Sequence, residues 1–138
     1  MNKKNKMKQK AMEEQVTCVA YLSTSGDIFS VKLREKKQLR YISEYALAHN
    51  IIIKKVLHRD LLGQADVNQH FEKMIHMIRQ GKVQGIIVAN MLAISIDVVD
   101  AYLKVGKVRS AGGIMITVDE GRLGMFIKEN GYGDKKYS

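Results

Sequence analysis

The chain has 138 residues, 46% apolar and 27% charged, enough to bury one hydrophobic core without disulfides or structural metals. No apolar run approaches the roughly 18 residues needed to cross a bilayer, and the lysine-rich start lacks the hydrophobic segment of a secretory signal, so a cytoplasmic, non-membrane protein is expected. A formal net charge of +9 makes nucleic acid or another polyanion a reasonable partner, while the single Cys18 excludes an internal disulfide.

Residues 1–14 open with "MNKKNKMKQK", five lysines and no acid. Lys3, Lys4, Lys6, Lys8 and Lys10 then form a flexible basic arm that either contacts DNA non-specifically or serves as a solubilising tail. A globular α/β domain is expected over 15–130 and a short tail over 131–138. "VTCVAYL" is a β-branched, apolar run of the kind that makes a buried strand. It leads into "YLSTSGD", where Ser23, Thr24 and Ser25 are three consecutive hydroxyl side chains. Lys32 to His49 reads as a helix with Leu39, Ile42, Tyr45 and Ala46 on one side. Its basic start, "KLREKKQLR", offers Lys36, Lys37 and Arg40 as a second cationic face or as a solvated one. Asn50 is a helix stop and "IIIKKVLH" a second strand. Gly63 to Asp66 is turn-like.

Val67 to Gln80 is the clearest helix, with Phe71, Met74, Ile75 and Ile78 at i, i+3, i+4 and i+7, closed by Gly81. "VQGIIVANM" is a third strand, apolar enough to be buried on both faces. Ser95 or Asp97 caps the next helix, which is expected to turn Val99, Tyr102 and Leu103 inward and to end near Gly112 or Gly113. "GIMITVD" is a fourth strand, and Met125 to Lys128 a short further one. This alternation predicts a three-layer α/β sandwich with a mainly parallel sheet of four to five strands. Ligands in such folds gather at the carboxyl ends of the strands. That rim comprises Ser23, Thr24 and Ser25, the loop from His58 to Gly63, and Asn90 to Ile96.

The order of elements and several short motifs resemble the catalytic domain of serine recombinases, the resolvases and invertases that cut and rejoin DNA. The likeness runs from about Val16 to Glu120. "YLSTS" places Tyr21 on the tyrosine and Ser25 on the nucleophile of the family's Tyr-x-Arg-x-Ser. Gln38 stands seven residues before Tyr45–Ala46, where the family often has a glutamine near its active site. Gly63 matches the glycine of a Ser-Gly turn, and "MIRQGKVQGIIVANM" is similar to the family's helix–Gly–Lys–strand junction. The resemblance implies a resolvase-like fold and phosphoryl transfer through Ser25.

The cations of that chemistry are missing. Serine-based phosphoryl transfer needs groups that stabilise charge on the phosphate, and the family uses arginines, whose guanidinium forks onto two oxygens. Ser23, Asn68, Ala93 and Ile96 stand where the resemblance puts those arginines, and Leu92 where it puts an aspartate. One such group is worth about 2.7–4 kcal/mol of transition-state stabilisation. The long helix and separate DNA-binding domain that follow in complete recombinases have no counterpart expected before Ser138.

Other constellations are weaker. His49, His58, His70 and His76 form no His–His pair at helical spacing and have no companion cysteines, so no metal is expected. "GYGD" and "AGG" are turns rather than phosphate-binding loops, so no cofactor is expected. The leading reading is a recombinase-like domain without catalysis, of mobile-element origin or not, that binds DNA non-specifically, pairs with a related recombinase or forms a homodimer. The alternatives are a divergent active recombinase using Ser25, and a small protein-binding module whose rim is lined by Leu61, Leu62, Leu92 and Ile94.

Overall fold

The computed structural model describes residues 14–24, 28–60 and 63–123. The five arm lysines, Ser25, Leu61, Leu62 and the strand expected at Met125 to Lys128 lie outside the described residues. Along the chain come β1 (Val16–Leu22), α1 (Ile28–Ala48), β2 (Ile51–His58), α2 (Gln64–Arg79), β3 (Gly85–Val88), a 3-10 turn (Met91–Ala93), α3 (Val98–Ser110), β4 (Ile114–Thr117) and β5 (Gly121–Leu123). The strands form one sheet in the order β2-β1-β3-β4-β5. The first four are parallel, and β5 returns antiparallel to β4.

The two-residue period of a strand explains how this sheet carries helices on both faces. Val19 and Tyr21 of β1, Ile86 and Val88 of β3 and Met115 of β4 pack with Phe71 and Met74 of α2 and with Val105 and Val108 of α3. Their neighbours Cys18, Ala20, Leu22, Ile87 and Ile116 pack on the other face with Ile42 and Ala46 of α1. The central strands therefore read as uninterrupted apolar runs. A Cβ at Gly85 would lie 2.4 Å from the carbonyl oxygen of Ile114, so glycine lets β3 and β4 approach. β2 forms one edge of the sheet. Its register passes from Cys18↔Ile53 to Val19↔Lys55, leaving Lys54 as the extra residue of a bulge.

Several boundaries differ from those read in the sequence. α1 starts four residues before Lys32, and α2 starts at Gln64, so of the expected turn only Gly63 precedes the helix, with a φ of 101° that suits glycine. Asn50 ends α1 in the left-handed region, φ 57°. β3 is shorter than the apolar run around it because the backbone enters the 3-10 turn after Asn90. β5 lies at 121–123, a strand the sequence pattern does not reveal.

The larger correction concerns α3. Asp97 is its N-cap, accepting the Asp100 amide at 2.8 Å. Val99, Tyr102 and Leu103, expected inward, are exposed, and the buried side carries Lys104, Val105 and Val108. Lys104 behaves as an apolar stem with a charged tip. Its ammonium lies 5.6 Å from the Phe71 ring centre and ends on Asp100 at 2.6 Å. Scoring that lysine as polar rotates the apparent inner face of the helix. Among the described residues no helix is long and apolar enough to cross a membrane.

Candidate active-site rim

β1 delivers its last residues to the carboxyl edge of the sheet, where the connections on its two sides leave in opposite directions. Gln38, projecting from α1, clamps the first of them: its Oε1 accepts the Ser23 amide at 2.9 Å, and its Nε2 donates to the Ser23 carbonyl at 3.4 Å. Two of the residues singled out in the sequence, Ser23 and Gln38, are thus brought together, with Tyr21 buried beneath them. From β2, the Arg59 amide continues the ladder onto the Leu22 carbonyl, and its guanidinium donates to the Thr24 carbonyl at 2.5 Å. This arginine occupies none of the positions matched to the family, and no motif in the sequence points to it.

Beside it lies a group of carboxylates and imidazoles. The Tyr21 hydroxyl sits 3.0 Å from His70 Nδ1. The other His70 nitrogen is 3.4 Å from Asp60, while Nδ1 is 3.8 Å from Asp66. His58 Nδ1 is 3.7 Å from Asp60, and the Asp60 amide donates to Asp66 at 2.9 Å. Burial, and then the charge of Asp66, push the Tyr21 phenol well above its ordinary value. Asp60, Asp66 and His70 offer ligand atoms within 4.8 Å of one another, so among the described residues they are a group that could hold a metal ion. Reading the sequence for His–His and His–Cys pairs misses this group; the i, i+4 spacing of Asp66 and His70 is its legible signal.

The end of β3 has a different character. Leu92 is 81% and Ile96 67% exposed, whereas Ala93 and Ile94 are buried. Ile94, expected to line an apolar rim, belongs instead to the core beneath it. The hydroxyl of Ser95 donates to the Met91 carbonyl at 2.5 Å, which closes the turn. Asn68 accepts from Gln64, whose amide also reaches the Ile94 carbonyl, both at 3.1 Å. Asn68 is therefore linked to the turn after β3 through Gln64. On the far side, Asp119 accepts from Tyr41 at 2.5 Å and from Asn90 at 3.2 Å. Tyr41 is thus fastened by its hydroxyl.

Lys36, Lys37 and Arg40 are exposed on α1, as a cationic face requires. Among the described residues, the rim gathers the carboxylates of Asp60 and Asp66 with His58 and His70, and exposes the apolar Leu92 and Ile96 at the β3 end.

No family model and no curated protein sequence matches this chain. Solved structures do. A resolvase family site-specific recombinase from Streptococcus pneumoniae superposes with a TM-score of 0.64 at 16% identity, covering 78% of this chain and 74% of that one. The N-terminal catalytic domain of TP901-1 integrase gives 0.61 at 16% identity, over 76% and 78% of the two chains. The C-terminal catalytic domain of ISC1926 TnpA, an IS607-like serine recombinase, gives 0.60 at 15% identity, over 75% and 70%. The fold is that of a serine recombinase catalytic domain. The sheet order and the helices on both faces, met first as a pattern of alternating apolar runs, are those of the resolvase type.

Proposed function

We propose that this domain keeps the frame of a serine recombinase catalytic domain without its strand-cleaving chemistry and works by binding, with DNA as the partner of its cationic residues. The observation that carries this reading is the charge at the rim. Ser23, Asn68, Ala93 and Ile96 supply no cation, the Arg59 guanidinium is spent on the Thr24 carbonyl at the end of β1, and the carboxylates of Asp60 and Asp66 gather around His70. A phosphoryl transition state there would lose several groups worth about 2.7–4 kcal/mol each, which places cleavage below detection even with non-additivity. The exposed Lys36, Lys37 and Arg40, together with the lysines of residues 1–10, give DNA affinity through counterion release and without base readout.

The test is incubation with supercoiled and nicked plasmid, followed by denaturation and a search for protein attached to DNA. No covalent adduct is expected. An adduct that disappears in Ser25→Ala would overturn the reading in favour of a divergent active recombinase. Arg59 lends that alternative its one support, because its guanidinium is bonded to the residue before Ser25. An adduct that persists in Ser25→Ala but is lost in Arg59→Ala would point to a different nucleophile at the same rim.

A further inference from the structure

Three side chains from two consecutive elements converge where β2 ends. Asp66 and His70 stand one turn apart on α2, which puts them on the same face of the helix. Both are largely withdrawn from water, with 11% and 16% of their side-chain surfaces exposed. Asp60, just past β2, brings its carboxylate to the same imidazole, 3.4 Å from Nε2. Its amide donates to Asp66 at 2.9 Å and so ties the two carboxylate-bearing segments together. Two carboxylates gathered at one imidazole repel each other unless positive charge sits among them. A protonated His70 supplies one such charge. A divalent cation supplies two and bonds to all three side chains.

We infer that Asp60, Asp66 and His70 form a binding site for one divalent transition cation of the zinc class, with Tyr21 as the positioning residue of the imidazole. Donor chemistry selects the ion. One imidazole nitrogen with carboxylate oxygens is a set that zinc accepts, and the nitrogen sets it apart from the all-oxygen sites of magnesium and calcium. Spacing agrees. Bonds of about 2.0–2.2 Å place neighbouring ligand atoms about 3–3.5 Å apart, and His70 Nε2 and Asp60 already stand at 3.4 Å. The three ligand atoms all lie within 4.8 Å of one another, so the closure that remains is on the order of 1 Å. Asp60, with its side chain 60% exposed, can make that movement without disturbing the core. The second shell is also in place. A ligating histidine gives one nitrogen to the metal and donates the N–H of the other to an oxygen. Here that oxygen is the Tyr21 hydroxyl, 3.0 Å from Nδ1 on a buried side chain near the end of β1, which leaves Nε2 for the cation. A bound ion fastens the start of α2 to the ends of β1 and β2. The inference needs neither Ser25 nor DNA, so it stands or falls apart from the proposed function.

The test is calorimetric titration of the full chain, stripped with a chelator, with zinc chloride, and ring-nitrogen NMR of the same samples. One ion per chain is expected. Zinc should move the ring-nitrogen signals of His70 and leave those of the exposed His49 and His76 in place, a readout that needs no variant to fold. Asp66→Asn keeps an acceptor for the Asp60 amide and should weaken binding at least about 100-fold. Tyr21→Phe should weaken it about 10–100-fold, the loss typical of an outer-shell partner, and His76→Ala should change nothing. The absence of both a binding heat and a His70 shift overturns the inference. Binding that survives Asp66→Asn, or that shifts His76 instead of His70, overturns it in favour of adventitious surface coordination. Magnesium bound as tightly as zinc would overturn the choice of cation, because the carboxylates alone would then be holding it. An affinity unchanged in Tyr21→Phe would remove Tyr21 from the site.

Discussion

The ion pair that turns α3 onto the sheet should break asymmetrically. Lys104 keeps 6% of its side-chain surface in water and Asp100 25%, with 2.6 Å between them. Asp100→Asn leaves the acceptor for the Ile96 amide but strands a buried ammonium. Removing one partner of a buried pair costs about 3–5 kcal/mol. The quarter of Asp100 that remains wet brings this to about 2–3 kcal/mol here, a large share of the ~5–15 kcal/mol expected of such a domain. Lys104→Met removes the charge and keeps the stem over Phe71, so it should fall within about 1 kcal/mol of the parent. Urea unfolding of the two variants measures the difference. Equal losses would refute the reasoning, since they would mean that water already solvates the ammonium.

The same pair sets a pH dependence. Burial raises the Asp100 pKa, but the hydrogen bonds from Lys104 and the Ile96 amide and the charge of Lys104 outweigh it and hold the carboxyl below its ordinary value. A depressed carboxylate contributes stability that is present in full above its unfolded value of about 3.9 and is lost as pH falls through its folded value. The loss of stability on the acid side should therefore be shallower in Lys104→Met than in the parent. Two glycines should respond in opposite directions in thermal unfolding. Gly85→Ala forces a methyl against the Ile114 carbonyl and should cost about 2–3 kcal/mol, whereas Gly106→Ala, in open space on a helix, should gain up to about 1 kcal/mol; a neutral Gly85→Ala would mean the β3–β4 approach is not fixed by glycine. For DNA, the triple change Lys36→Glu, Lys37→Glu, Arg40→Glu should flatten the salt dependence of anisotropy-measured binding by about 0.9 in log–log slope for each phosphate that α1 no longer neutralises, and an unchanged slope would remove α1 from the interface.

Most of the frame is legible because central strands and amphipathic helices announce themselves by period. "VTCVAYL" and "IIIKKVLH" occupy the spans read from them, and α2 shows its buried Phe71, Met74, Ile75 and Ile78 as the spacing predicts. The inner face of α3 is not legible, because the aliphatic part of Lys104 packs like a hydrocarbon while a hydropathy pattern scores only its charge. At the rim, the pairing of Gln38 with Ser23 follows a resemblance in sequence. The roles of Arg59, Asp60, Asp66 and His70 depend on β2 ending beside β1, a juxtaposition that no short window of sequence contains. The expected apolar rim shifts for a related reason: Ile94 and Leu92 are two residues apart, but a 3-10 turn does not alternate like a strand, and it sends one into the core and the other into water.

The bulge at Lys54 bears on how copies of this chain can meet. β2 is an outer strand, and Lys54 and Lys55 sit exposed along it. An unbroken outer strand invites another to add to it, and each addition leaves a fresh border for the next, so growth by that route has no natural end. A misaligned register and two desolvation-averse ammonium groups make this border a poor template. On this side of the sheet, open-ended growth by strand addition is therefore discouraged.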